Sequence, residues 1–378
     1  MHIQRRTLLA AGAAALGAPT FMVRAETGVS DGEIVLGHTG ILQGPLGGPV
    51  KAMLAGAQTA FGEVNAQGGI AGRKLRVVSL DDELKPDKAV ANYQALLGEH
   101  KAFAFFGCVG SGTTAAASQV LKESGAALIG GYAVADSARE KTRGSGYYMR
   151  ASTEREAQAL VQHLTTIGIT RIAMAHLDNP GGLEALSLVT AALKERKLEP
   201  TGSTAIKGDA SNAVEAAQKL MAGNPQTIIM YLGGPLPGEL MKAVWGIGAT
   251  PSFYGMSIVD GGVTAKVAGP RSRGLAISQI MPYPWGAADV YIRTYRELMD
   301  KATLPIGYYS FEGYFSASVL IEALKRTGRD LTRPKLHATM KALKLRLAGM
   351  DIDFTGGQTT GSRFVEMVQV TNEGKYVR

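Results

Sequence analysis

The chain has 378 residues, 46% of them hydrophobic and 19% charged, which excludes a disordered or low-complexity protein and exceeds what one small core needs. Its formal charge is +8, but Arg5, Arg6 and Arg24 supply three of those positives in an acid-free stretch, and eight minus three leaves +5 for the remainder. With no run of lysine or arginine, that mild excess argues against a nucleic-acid partner.

Residues 1–25, MHIQRRTLLAAGAAALGAPTFMVRA, have a basic start, an apolar stretch from Leu8 to Leu16 and a small-residue end at Val23-Arg24-Ala25. This is the pattern of a secretory signal peptide, with cleavage expected after Ala25. The apolar stretch is too short for a spanning helix. Gln4-Arg5-Arg6-Thr7-Leu8-Leu9 also fits a loose twin-arginine pattern, so folded and unfolded export both stand. No cysteine lies near the cleavage point, so no lipid anchor is expected there. The mature protein is expected to be soluble, in the periplasm or outside the cell, with the periplasm preferred.

From residue 33 the pattern alternates between short β-rich runs and longer segments of helical spacing. The runs are Ile34–Leu36, Leu75–Leu80, Phe103–Phe106 and Ala127–Ile129, with helices expected over 49–64, 88–97 and 113–124. This βαβ order predicts an α/β protein whose parallel sheet is covered by helices. The rhythm restarts at Ile172–Ala175, Ser203–Ile206 and Ile228–Leu232, with helices near 182–197, 211–222 and 237–246. Two such sets predict two lobes of similar construction. Beyond Pro282-Tyr283-Pro284-Trp285, helices are expected over 287–301, 311–327 and 333–344, and the end from Met350 alternates like a β-hairpin.

Catalytic patterns fail one by one. Gly110-Ser111-Gly112-Thr113-Thr114 lacks the lysine that a phosphate-binding loop needs. Gly255-Met256-Ser257-Ile258-Val259 lacks the last glycine of a nucleophile elbow. The histidines at 2, 38, 100, 163, 176 and 337 are dispersed, with no zinc-ligand spacing among them. Asp81-Asp82 reads as a strand-end turn rather than a metal site. Cys108, the single cysteine, reads as a small buried hydrophobe. No enzyme activity, cofactor or metal is expected.

What remains is GCVGSGTTA at 107–115, a glycine-rich turn after an apolar strand and before a helix. Such a turn brings backbone N–H groups and the positive end of a helix dipole to one spot. Ser111 is expected near the N-cap, its hydroxyl free to donate a hydrogen bond, and the alternative is that it merely caps the helix. Without lysine or metal, the arrangement suits one carboxylate better than a triphosphate.

QGPLGG (43–48), NAQGGIAGRKLRVV (65–78), the aspartates at 81–82 and GCVGSGTTAAAS (107–118) follow one another in register, and the likeness continues through FYGMS (253–257) and GLAISQIMPYPW (274–285). Together they resemble the periplasmic substrate-binding proteins of branched-chain (hydrophobic) amino-acid ABC uptake systems. The resemblance implies a type I periplasmic-binding fold: two Rossmann-like lobes joined by three crossings near 150–153, 279–283 and 346–350. Lobe 1 would comprise 29–150 plus 283–346, and lobe 2 would comprise 153–279 plus 350–378. A small ligand would bind between lobes that close by hinge bending, and a membrane permease would read the closed form of a monomer.

Carried over residue by residue, the resemblance places the carboxylate-binding serine on Ser111, beside Gly112 and Thr113. The strand-end segment Tyr132, Ala133 and Val134 is expected to face the ligand, with Val134 where amino-acid-binding members have a threonine. From the second lobe come Asn179, Pro180, Gly234, Pro235 and Ser257. Ser257 falls where those members place the acid that pairs with the ligand ammonium, and Pro235 falls where they have a tyrosine. A buried ammonium without a carboxylate partner is costly. The expected ligand is therefore a small organic acid, aromatic if Tyr132, Tyr283 and Trp285 wall the site, with Asp178 and Asp260 as candidate substitutes for the missing acid. An aliphatic amino acid, an amide-like solute and a sensor role are the alternatives.

Overall fold

The computed structural model describes residues 26–44 and 46–378. The expected signal peptide lies outside those residues.

The first α/β set runs β1 (Glu33–Gly40), α1 (Gly47–Ala66), β2 (Lys74–Asp81), α2 (Pro86–Gly98) and β3 (Ala104–Phe106). It continues through α3 (Ser111–Ala116), α4 (Ser118–Ser124), β4 (Leu128–Ile129), α5 (Asp136–Lys141) and β5 (Gly146–Tyr147). Its strands form a parallel sheet in the order β2-β1-β3-β4-β5. Leu36, Ala104, Phe105, Phe106, Leu128 and Ile129 are buried on both faces, which is why these strands read as continuous apolar runs rather than alternations.

The second set runs α6 (Thr153–Thr166), β6 (Ile172–Leu177), α7 (Pro180–Glu195), β7 (Gly202–Ile206) and α8 (Ala213–Met221). It continues with β8 (Thr227–Tyr231), α9 (Leu236–Gly246), β9 (Ser252–Gly255), α10 (Gly261–Ala268) and β10 (Ala276–Gln279). The parallel part of this sheet is ordered β7-β6-β8-β9-β10, the same winding as the first. Both sheets therefore reverse winding direction beside their first strand, β1 in one and β6 in the other. Loops leaving the carboxyl ends of neighbouring strands diverge there and open a crevice.

After β10 the chain returns to the first lobe as α11 (Val290–Lys301), α12 (Tyr308–Thr327) and α13 (Arg333–Lys341). Helix α12 packs along α1 so closely that a Cβ on Gly56 would lie 1.8 Å from the Ser310 carbonyl oxygen, and one on Gly313 would lie 1.8 Å from that of Met53. Glycine is required at both positions.

The chain then makes the antiparallel hairpin β11 (Lys344–Leu347) and β12 (Met350–Asp353). Its turn holds Ala348 and Gly349 at φ of 50° and 75°, the signature of a tight two-residue hairpin. The third crossing expected near 346–350 is thus a turn, and 350–361 stay with the first lobe. Phe354 meets Tyr147 edge-on, and Tyr148 exchanges backbone bonds with Thr359 and Gly361. Only with β13 (Glu366–Val370) and β14 (Tyr376–Val377) does the chain join the larger sheet, antiparallel to β10. A local alternation of apolar residues is the same for a hairpin and for strands of separate lobes, so residue order alone does not separate the two arrangements.

Asp81 and Asp82 serve the expected turn. Asp81 accepts from the N–H groups of Leu42 and Glu83, and Asp82 from Leu84 N–H and the Thr39 hydroxyl. Cys108 is buried, and burial pushes its thiol up to about 12.

Candidate functional site

A cavity of about 390 Å³ lies between the lobes at the crevice the two windings predict. Each wall is the carboxyl end of a strand: Ile41 follows β1, Val109 to Thr113 follow β3, and Tyr132 and Ala133 follow β4. Opposite them stand Leu177, Asn179, Pro180 and Gly181 around the β6 exit, Tyr231 at the end of β8 with Gly233 and Gly234 beyond it, and Ile258 after β9. Leu46, Pro49, Val50, Leu84 and Pro86 complete an apolar surround. Among the described residues, no acidic or basic side chain lines the cavity. This volume is that of a small-molecule site.

The lobes are closed on the cavity. Across the mouth, Ser137 on α5 donates its N–H (2.9 Å) and its hydroxyl to the Glu184 carboxylate on α7. A Cβ on Gly181 would stand 3.4 Å from the Ser111 hydroxyl oxygen, and one on Gly233 would stand 3.4 Å from Leu46 Cδ2.

Ser111, Gly112, Thr113, Tyr132, Ala133, Asn179, Pro180 and Gly234 all line this cavity. Val134 and Ser257 do not: they border a small void behind it. Pro235 touches neither and stands at the start of α9. Tyr283 and Trp285, expected as flat walls, instead pack with Tyr308 and Tyr376 in a separate crevice. Asp178 is exposed, and Asp260 caps α10 through the Val263 N–H; neither reaches the cavity.

Several expected roles shift in detail. Helix α3 begins at Ser111, and the preceding residue is Gly110 at φ 94°. Ser111 is therefore the first helical residue and not the cap. Its hydroxyl accepts from Ala135 N–H at 2.9 Å and lies 3.4 Å from the Ala133 carbonyl, tying the helix to the next loop. The Thr113 hydroxyl is spent on the Val109 and Gly110 carbonyls. Asn179 is the N-cap of α7, its side-chain oxygen accepting from Gly182 N–H at 2.9 Å. The N–H groups of Ser111, Gly112 and Thr113 precede any intrahelical acceptor, and none has another backbone partner among the described residues.

Two tyrosines face the cavity from opposite lobes, Tyr132 and Tyr231. The Tyr231 hydroxyl has no hydrogen-bond partner within the protein among the described residues and is not sealed from space, whereas the Tyr132 hydroxyl lies within hydrogen-bonding reach of Tyr309. Burial raises both phenols, that of Tyr231 to about 12, so both remain donors at neutral pH. Tyr231 was missed by sequence reasoning. Its position at the end of β8, directly before Leu232-Gly233-Gly234, was the available signal.

Behind Tyr132 lies a buried ionic cluster that the sequence did not announce. Arg150 follows β5; its guanidinium lies 5.4 Å from the Tyr132 ring centre, donates to Ser257 Oγ at 2.8 Å and pairs with Glu312 at 3.7 Å. Glu156 accepts from the Ser257 N–H and hydroxyl and from the Ser278 hydroxyl. Burial pushes both glutamates up, against the pull of Arg150.

Two equivalently wound sheets closed over a neutral cavity at their switch points define a ligand-binding protein of the type I periplasmic class. The chain belongs to the periplasmic binding protein family, whose model matches residues 33–375. This is a family of substrate-binding proteins, and the resemblance read from the motifs is to its branched-chain amino-acid members. The leucine-specific-binding protein of Salmonella typhimurium is 26% identical over 328 residues, covering 84% of each chain. A substrate-binding periplasmic protein from Ralstonia solanacearum superposes with a TM-score of 0.84 at 26% identity, covering 91% of this chain and 99% of that one. A solute-binding protein of an ABC transporter from R. palustris, solved in complex with benzoate, superposes with a TM-score of 0.79 at 18% identity, covering 92% and 95%.

Proposed function

We propose that the protein is the extracytoplasmic solute-binding component of an ABC importer and takes a small organic acid lacking an ammonium group. The observation that carries this reading is the lining of the cavity: hydroxyls, amides and apolar walls, with no carboxylate among the described residues that form it. A ligand carboxylate would meet the Tyr132 and Tyr231 hydroxyls and the first-turn amides around Ser111. An ammonium would meet no charged partner on the walls, and burying one unpaired is costly. The R. palustris complex, in which a protein of this fold holds benzoate, is consistent with an aromatic carboxylate. A second reading, an aliphatic amino acid, is favoured by the kinship with the leucine-specific protein. In either case a membrane permease would read the closed form.

A thermal-shift panel on the mature chain tests the choice, comparing benzoate and 4-hydroxybenzoate, short fatty and keto acids, and leucine and valine. At a hundredfold excess over its dissociation constant a ligand stabilises by about 2.7 kcal/mol, enough for a shift of a few degrees. Carboxylates without an ammonium should give the larger shifts. If leucine or valine shifts the midpoint while every simple acid fails, the amino-acid reading replaces the proposed one.

A further inference from the structure

Two buried arginines stand at the crossings between the lobes, and they are bonded differently. Arg139, on α5, donates to the carbonyls of Val134 (2.9 Å), Arg150 (3.3 Å) and Ala151 (3.2 Å) and to Thr360 Oγ1 (3.0 Å). These partners belong to the neighbouring loop and to the crossings themselves, so rotation of one lobe against the other leaves them in place. Arg139 ties α5 to the crossing segments.

Arg150 is bonded across the joint. On one side its guanidinium meets Ser257, which follows β9 of the second lobe and is itself held by Glu156 on α6. On the other side it meets Glu312 on α12, which packs against α1 in the first lobe. Rotation about the crossings must separate Ser257 from Glu312, and one guanidinium cannot follow both.

Ligand contact and closure also share atoms here. The Tyr132 ring, over which Arg150 lies, is part of the cavity wall and meets Tyr309 edge-on at 5.9 Å. The Tyr309 hydroxyl in turn donates across the joint to the carbonyl of Ile258, another wall residue, at 3.2 Å. Between the cavity and the cluster lies a void of about 10 Å³, bordered by Ala133, Tyr231 and Ile258 on the cavity side and by Arg150 and Ser257 behind. That is the space of a single water.

We propose that Arg150 latches the closed form: by joining Ser257 of one lobe to Glu312 of the other beneath Tyr132, it couples occupancy of the cavity to closure. A guanidinium this buried is costly unless its partners are all in place. In the closed form Nη2 donates to Ser257 and Nη1, which has no hydrogen bond among the described residues, faces the Glu312 carboxylate at 3.7 Å, so the charge is compensated there, and anything that fills the cavity and fixes Tyr132 favours that arrangement. The latch deepens the ligand-binding reading and assigns Arg150 as a positioning residue that does not itself line the cavity.

The test measures the distance between spin labels on the two lobes, placed by Lys122→Cys and Ser187→Cys, both at exposed positions. Cys108 is buried and its thiol is pushed up, so it does not compete for label. The parent is compared with Ser257→Ala, which removes the second-lobe acceptor and no charge, and with the charge-balanced pair Arg150→Gln with Glu312→Gln. Each is measured unliganded and with saturating benzoate or leucine, and stopped-flow gives the rates for whichever probe binds. The short-distance population should fall at least fivefold in both variants, with a fivefold faster dissociation rate and an unchanged association rate. Distance distributions equal to the parent's in every condition overturn the latch, as does a parent with no short-distance population in any of them. Should the double variant not fold, Ser257→Ala decides alone. Should neither probe bind, the ligand reading is judged by the full thermal-shift panel while the unliganded comparison still judges the latch.

Discussion

Glu184 on α7 receives both the N–H and the hydroxyl of Ser137 on α5, a direct bond between the lobes at the mouth of the cleft. Opening must break it. Glu184→Ala is therefore expected to shift the equilibrium toward the open form by about 1 kcal/mol, a hydrogen bond's usual net worth. Affinity for any ligand should fall roughly fivefold, and calorimetric titration with surface-plasmon rates should place the change in dissociation.

Tyr231 and Ser111 face the same cavity with different obligations. Tyr231→Phe removes a hydroxyl with no protein partner, so stability should hold while a bound carboxylate loses ~1.5–3 kcal/mol, the worth of a hydrogen bond to a charged group. Ser111→Ala should weaken binding by a similar ~1.5–3 kcal/mol. It should also lower stability by about 1 kcal/mol, because the Ala135 N–H loses its acceptor. Titration and denaturant melts on the two variants separate these effects. Unchanged affinity in Tyr231→Phe would remove that residue from the site, and unchanged affinity in Ser111→Ala would leave that serine a tie between loops.

His38 carries a pH prediction. Its ring is buried in β1 with Nδ1 at 3.1 Å from the Phe106 carbonyl and no partner for Nε2. Burial lowers its pKa to about 4 from 6.5. Between those values the unfolded chain binds the proton and the folded chain does not, so stability falls as pH drops through that window. The full difference is about 3 kcal/mol at 1.36 kcal/mol per unit. The carboxylates raised by burial, Asp82, Glu156 and Glu312, act in the opposite sense. The effect is therefore read as a difference: His38→Gln should show a shallower loss of urea midpoint between pH 6.5 and 4 than the parent.

The α1–α12 contact gives a packing prediction. With 1.8 Å between a new Cβ at Gly56 and the Ser310 carbonyl, Gly56→Ala must push the helices apart. Overpacking costs typically ~1–3 kcal/mol, and a denaturant melt should lose at least that much. Gly48→Ala, with open space around its Cβ, serves as the control in the same helix.

The order of strands and helices was legible because burial imprints a local period. Both faces of β3 and β4 and of the Ile34–Leu36 part of β1 are covered, so those residues are apolar in unbroken runs, and the amphipathic segments between the strands mark the helices. The motifs around 107–118 also located the glycine-rich loop, and eight of the eleven residues expected in the site line the cavity. What the amino-acid order did not contain was contact between segments far apart along it. Tyr231 matters because β8 ends opposite Tyr132; Arg150 because Ser257 and Glu312, more than a hundred positions later in the chain, converge on it. Tyr283 and Trp285 looked equally suited to wall a ligand site, yet Tyr308 and Tyr376 claimed them. The sequence by itself determined which elements form and in what order, because those follow from neighbours within a turn or a strand. Only the tertiary structure decided which side chains share the cleft and which join the lobes, because the energy of a contact depends on what the fold brings within a few ångströms.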